Sequence, residues 1–201
     1  VTPHHSPLSP IVMRIIAGEF GGRRLRAPGG SATRPTSSRV RESLFSHLQH
    51  RHPPCLPGAN VLDLYAGSGA LGIEAMSRGA ARATFVDSGR PALASIRENL
   101  ATLRIEDRSH VVGTDALRAV SPRLRGAPFD LVFADPPYAD LAVDALARAL
   151  ADPAVCAPSC VWVLESGHDP SDSPAAGWSP DWSRRFGDTW LTVYLRDHRS
   201  G

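Results

Sequence analysis

From Asn60 onward the chain alternates between two hydrophobic periods, and few folds accommodate that alternation. Asn60-Val61-Leu62-Asp63-Leu64-Tyr65 is a short apolar run that reads as a strand. Residues 66–69 make a tight turn, and residues 70–78 a helix that Gly79 ends. A second strand at 83–87 leads to a helix from Pro91 to about Leu103, with proline in its first turn. A third strand at 110–113, a short helix at 115–120 and a fourth strand at 129–134 follow. A helix over about 141–150 then precedes a fifth strand at 161–165. Short strands alternating with helices predict right-handed βαβ units, and so an α/β fold with a helix-covered parallel sheet. The end breaks this rhythm. Residues 183–186 and 189–195, joined at Gly187-Asp188, read as a hairpin that turns the last strand antiparallel, and 172–180 reads as loop.

At 201 residues and 42% hydrophobic content, one domain with a small appendage is expected. No apolar stretch approaches the roughly 18–20 residues that cross a bilayer, and the first residues lack a signal pattern, so a cytoplasmic protein is expected. Cys55, Cys156 and Cys160 form an odd set, which suits free thiols in a reducing compartment. His50, His52 and Cys55, and likewise Cys156 and Cys160, lack paired zinc spacing, so no metal site is expected.

All 22 basic residues are arginine, a composition bias that by itself says nothing about nucleic acid. Their distribution says more. Residues 1–54 carry a net +6 and the remainder −4, a basic appendage on a mildly acidic domain, which points to a polyanion partner. The run RIIAGEFGGRRLR at 14–26 suits two short strands and a glycine turn, with Arg23, Arg24 and Arg26 grouped on and after it. A charged, solvated hairpin edge would look the same. A linker at 27–31 leads to TRPTSSRVRESLF, in which Ser37 or Ser38 caps a helix with Val40, Leu44 and Leu48 as its buried stripe. Arg39 and Arg41 fall off that stripe, and with Arg34 they are candidates to face a site. The expected organisation is a tail at 1–12, a basic hairpin and helix at 13–54, and the main domain at 55–201.

Three features carry chemistry. Gly67-Ser68-Gly69-Ala70-Leu71-Gly72 matches G-x-G-x-x-G between a strand and a helix, where glycines let a ligand approach the backbone. Asp63 and Asp87 end the strands flanking that turn, and Asp115 follows the third strand, so three acids share the sheet edge where such folds bind nucleosides. Each acid alone also fits a helix cap, Asp115 about as readily as a ligand contact, and the ligand fits NAD or S-adenosylmethionine. The third feature is Asp135-Pro136-Pro137-Tyr138, where two prolines stop a buried strand on a stiff corner beside an aromatic ring. An acceptor pair next to a flat ring suits a planar base that presents an amino group.

The stretches VLDLYAGSGALGIEAMSRGA, FVD and DPPY resemble the class I S-adenosylmethionine-dependent methyltransferases that modify exocyclic amino groups of bases. RIIAGEFGGRRL, TRPTSSRVRESLF, DLYAGSGALGIEA and FADPPY more specifically resemble the bacterial small-subunit (16S) ribosomal RNA guanine-N2 methyltransferases, the RsmD-type family, from about Met13 to Leu195. That resemblance implies a Rossmann-like, seven-stranded, mostly parallel sheet with an antiparallel last strand, plus the N-terminal hairpin. It implies S-adenosylmethionine held by Asp63, by Tyr65, Ala66, Gly67, Ser68 and Gly69, by Asp87, and by Asp115 with Ala116. It also implies catalysis by Asp135 and the Pro136 carbonyl with Tyr138 stacking on the base, and RNA gripped by the N-terminal arginines. A monomer acting on ribosomal RNA, naked or within a small-subunit particle, is expected. The competing readings are an adenine-N6 or cytosine-N4 methyltransferase of DNA or RNA, and a non-catalytic nucleotide- or RNA-binding module.

Overall fold

The computed structural model describes residues 13–28, 37–136, 140–167, 169 and 176–197. Seven strands form one sheet: β3 (Asn60–Leu64), β4 (Arg82–Asp87), β5 (Ser109–Gly113), β6 (Phe129–Ala134), β7 (Cys156–Ser166), β8 (Trp178–Phe186) and β9 (Thr189–Arg196). Their order is β5-β4-β3-β6-β7-β9-β8, parallel from β5 to β7, with β9 antiparallel to both its neighbours. The expected α/β class and terminal hairpin are both observed. A separate antiparallel pair, β1 (Met13–Arg14) and β2 (Arg24–Leu25), forms the N-terminal hairpin.

Alternation along the strands divides the core in two. Val61, Phe85, Phe133 and Val163 face one layer with α1 (Ser38–Arg51), α2 (Ala70–Ser77) and α3 (Arg90–Leu103). Leu62, Leu64, Val86, Val132, Trp162 and Leu164 face the other, with α4 (Ala116–Ala119) and α5 (Asp140–Leu150). Met13, Ile15, Phe20 and Leu25 of the hairpin join the first layer, so the basic segment is packed into the domain's own core.

Two boundaries differ from expectation. β7 begins at Cys156, which pairs with Phe129 ahead of a register shift, and β8 begins at Trp178, within the expected loop. Its serine-, proline- and glycine-rich composition made that stretch read as loop, but β8 is an edge strand, where proline is tolerated. A third expectation is corrected. Arg41 does not fall off the buried stripe of α1: that stripe is Arg41, Leu44, Phe45 and Leu48, and Arg41 is 0% exposed. Its guanidinium sits against Glu74 of α2 (3.7 Å) and donates to the Arg14 carbonyl (2.8 Å).

Candidate active site

The pleat that sorts the core also assembles the site. Asp63, Asp87, Asp135 and Glu165 share the parity of Val61, Phe85, Phe133 and Val163, so all four acids belong to the α1–α3 side at the carboxyl edge of the sheet. Register sets their depth. Asp63 is level with Phe85 and Phe133, and Phe133 with Val163. Asp63 therefore lies two residues, roughly 6.6 Å, deeper than the other three.

Depth governs the electrostatics. Asp63 is 2% exposed and, among the described residues, accepts one hydrogen bond, from Gly72 N–H at 2.9 Å. Burial first, with Asp87 and Asp135 adding, pushes its carboxyl up to about 8. Asp135 stands at the exposed mouth, yet the surrounding protein and the Glu165 charge push it up to about 7. Asp87 is half-buried, and its two oxygens accept from Gly67 N–H (2.9 Å) and Gly89 N–H (2.7 Å). Among the described residues, two of its roughly four acceptor positions remain for a ligand.

The loop between β3 and α2 is shaped by its backbone. Gly67 and Gly69 have φ of 57° and 77°, and Tyr65 also lies in the left-handed region at 57°, a strained setting for a side chain. Gly69 N–H closes the turn on the Ala66 carbonyl at 2.7 Å. Gly72 serves a different need: a Cβ there would stand 2.5 Å from the Phe85 ring, so only glycine lets α2 lie this close to β4. Ser68 is buried, and its carbonyl accepts from Asn99 Nδ2 at 2.9 Å. Asn99 also exchanges hydrogen bonds with the Arg26 backbone (2.7 and 3.0 Å), tying the glycine loop to the hairpin. Asp115 caps α4, accepting from Arg118 N–H at 3.2 Å, with Ala116 buried behind it. Burial, then the Asp115 charge, raises the half-buried Tyr65 phenol above its ordinary value.

The structure thus gathers the expected cofactor residues, with Asp135 and Pro136, at one edge. Tyr138 and Arg34 lie outside the described residues. Arg23 and Arg24 are exposed, and Arg23 is distant: it donates to the Thr102 carbonyl near the far end of α3, about 18 Å along that helix from Arg90. Arg26 pairs with Glu98 at 2.7 Å, and Arg39 is exposed at the start of α1. Sequence reasoning passed over Glu165, Asn99 and Glu74. Glu165 alone carried a usable signal, an acid ending an apolar strand, as Asp63 and Asp87 do.

Residues 13–195 match the family described as Conserved hypothetical protein 95. The chain is 42% identical over 136 residues to ribosomal RNA small subunit methyltransferase D of Escherichia coli, covering 68% of this chain and 64% of that one. It is likewise 42% identical over 135 residues to YlbH of Bacillus subtilis, named as a candidate rRNA methyltransferase, covering 67% and 71%. The solved structure of the candidate methyltransferase yhhF of Escherichia coli superposes with a TM-score of 0.77 at 35% identity, over 92% of this chain and 98% of that one. The chain belongs to the RsmD-type family of S-adenosylmethionine-dependent methyltransferases.

The RsmD-type cofactor fits the residues present. Among the described residues buried Asp63 accepts a single hydrogen bond, and it resists ionisation, a setting that a cationic ammonium group would relieve. Asp87 retains acceptor positions for vicinal hydroxyls. A Cβ built at Gly67 would meet nothing nearer than 4.0 Å, which leaves open space over the loop backbone.

Proposed function

We propose that the protein methylates the exocyclic N2 of a guanine in small-subunit ribosomal RNA. The observation that carries this reading is the Asp135-Pro136 corner, one pleat outward from Asp63 on the same face of the sheet. Bound S-adenosylmethionine supplies an electrophilic methyl on a good leaving group, so the protein's task is to present the amino nitrogen. That nitrogen is a weak nucleophile because its lone pair is delocalised into the ring. The Asp135 carboxylate and Pro136 carbonyl accept from its two hydrogens and favour a pyramidal nitrogen with the lone pair turned outward. Such alignment is worth about 7–11 kcal/mol of barrier. As the nitrogen acquires positive charge, ionised Asp135 stabilises it and can take the departing proton. Tyr138 stacks on the base, and the base reaches the corner unpaired or extruded from its stack. The small-subunit particle as substrate, the monomeric state and a cytoplasmic setting belong to the same reading.

The test is labelled methyl transfer to ribosomal RNA and to small subunits from a strain lacking the protein, with the modified nucleoside identified. N2-methylguanosine is the expected product, and label in N6-methyladenosine or N4-methylcytidine would overturn the guanine assignment. Asp135→Ala is expected to abolish transfer while cofactor binding, measured by calorimetry, stays nearly intact. Full activity in that variant would remove the mechanism.

A further inference from the structure

Away from the carboxylate edge, the last turn of α1 meets the edge strand β8, and three side chains of metal-ligand type converge there. His47 lies on α1, His52 is its C-cap, and Asp181 is on β8. One ligand atom from each lies within 4.8 Å of the others. His52 Nε2 is 3.0 Å from Asp181 Oδ2, and His47 Nε2 is 3.7 Å from the same oxygen. Four-coordinate zinc, with bonds of about 2.0–2.2 Å, sets its ligand atoms about 3.3–3.5 Å apart, which these two separations bracket.

His47 is the unusual member. Its Nε2 is buried and makes no hydrogen bond among the described residues, because 3.7 Å is too long for one. The ring is held in place, stacked on Trp182 (4.6 Å between centroids, 20° between planes) and met by the edge of the His52 ring (5.5 Å, 63°). It therefore points a lone nitrogen at the acid and cannot swing out to water.

We propose that His47, His52 and Asp181 form a binding site for a divalent transition-metal ion of the zinc class. Water completes the coordination, and the ion braces the C-terminal end of α1 against β8. Two imidazoles and one carboxylate suit zinc rather than magnesium or calcium, which prefer all-oxygen sites. His50, Arg51 and Arg184 line the same cleft, and their positive charge opposes a cation. His50 and Arg184 are engaged elsewhere, with the Ser46 carbonyl and the Ser43 hydroxyl. The competing arrangement is the direct His52–Asp181 hydrogen bond at 3.0 Å with no ion between the two groups.

Titrating the full chain with zinc chloride by calorimetry, and with cobalt(II) by visible absorption, separates the two. One equivalent of zinc should bind and raise Tm, and cobalt(II) should give the d–d bands of a four-coordinate ion. His47→Gln and Asp181→Asn should each weaken binding by roughly tenfold or more. Asp181→Asn is the guard against a His47→Gln chain that fails to fold. No rise in Tm with zinc, or a cobalt spectrum of the hexa-aqua ion alone, would overturn the site. So would affinity unchanged in both variants, since the metal would then be on other histidines such as His4 and His5.

Discussion

Asp63 and Asp135 carry most of the pH behaviour. A carboxyl whose folded value lies above its unfolded one, about 3.9, contributes stability that is complete below that pH and lost as pH rises through the folded value. For Asp63 the window runs from about 3.9 to about 8. Asp63→Asn imitates the neutral acid, so its Tm advantage over the parent should widen from pH 5 to pH 8 and then level off, while cofactor affinity falls. A gap that does not change with pH would show that Asp63 is not held neutral. Asp135 can take the departing proton only when ionised, so turnover at saturating substrates should rise with pH through about 7. Glu165→Gln removes the neighbouring charge that raises Asp135 and should move that inflection to lower pH. An inflection that stays near 7 in Glu165→Gln means burial alone sets it. The acids ending β3, β4 and β6 were legible in the sequence because each closes an apolar run beside a glycine turn or a proline stop. Glu165 gave the same signal, but the irregular text after it hid that its strand adjoins Asp135.

The hairpin and α1 are fastened to α2 by one buried acid. Glu74 is 0% exposed and accepts from Ile16 N–H (2.8 Å), Ala17 N–H (3.1 Å) and Arg78 Nε (2.8 Å), with Arg41 3.7 Å away. Glu74→Ala would leave two backbone donors and two guanidinium groups without their acceptor. A loss of roughly 3–5 kcal/mol is expected in denaturant unfolding. Replacing Arg41 and Glu74 together by methionine should cost less than Glu74→Ala alone, because it removes the uncompensated charge with its partner. If the double variant is the less stable of the two, the pair is worth more than its desolvation. None of this could be read from the sequence. The helix, its Ser37 cap and its period were visible, but an arginine inside an apolar stripe resembles a break until Glu74, 33 residues on, is known to face it. Helices and parallel strands follow from local pattern, whereas the face an arginine takes depends on a partner that only the tertiary fold supplies.

Across the whole molecule, the exposed arginines stand at different distances from the chemistry. The acids of the site gather at the carboxyl edge of the sheet, and a phosphate backbone brought there without compensation would be repelled. Arg23 stands at the opposite end of α3, with Arg24 next to it in β2, while Arg39 opens α1 and Arg184 and Arg185 lie near the tip of the β8–β9 hairpin. Arg184 is level with Leu191, and Leu191 with Glu165, so that second group flanks the site while the first stands well away from it. An extended polyanion crossing both groups would pass over the site with its backbone held at two places and one base free to enter. Neutralising Arg23 and Arg24 should therefore weaken RNA binding without changing turnover at saturating RNA. The slope of log affinity against log salt should fall by about 0.7 for each single-strand phosphate that those arginines no longer neutralise. If RNA reaches Asp135 along that flank, neutralising Arg184 and Arg185 should lower both affinity and turnover. If the Arg23 and Arg24 variant keeps its affinity and salt slope, the N-terminal hairpin is a solvated edge whose charge prevents strand pairing. RNA would then be held from the β8–β9 side alone.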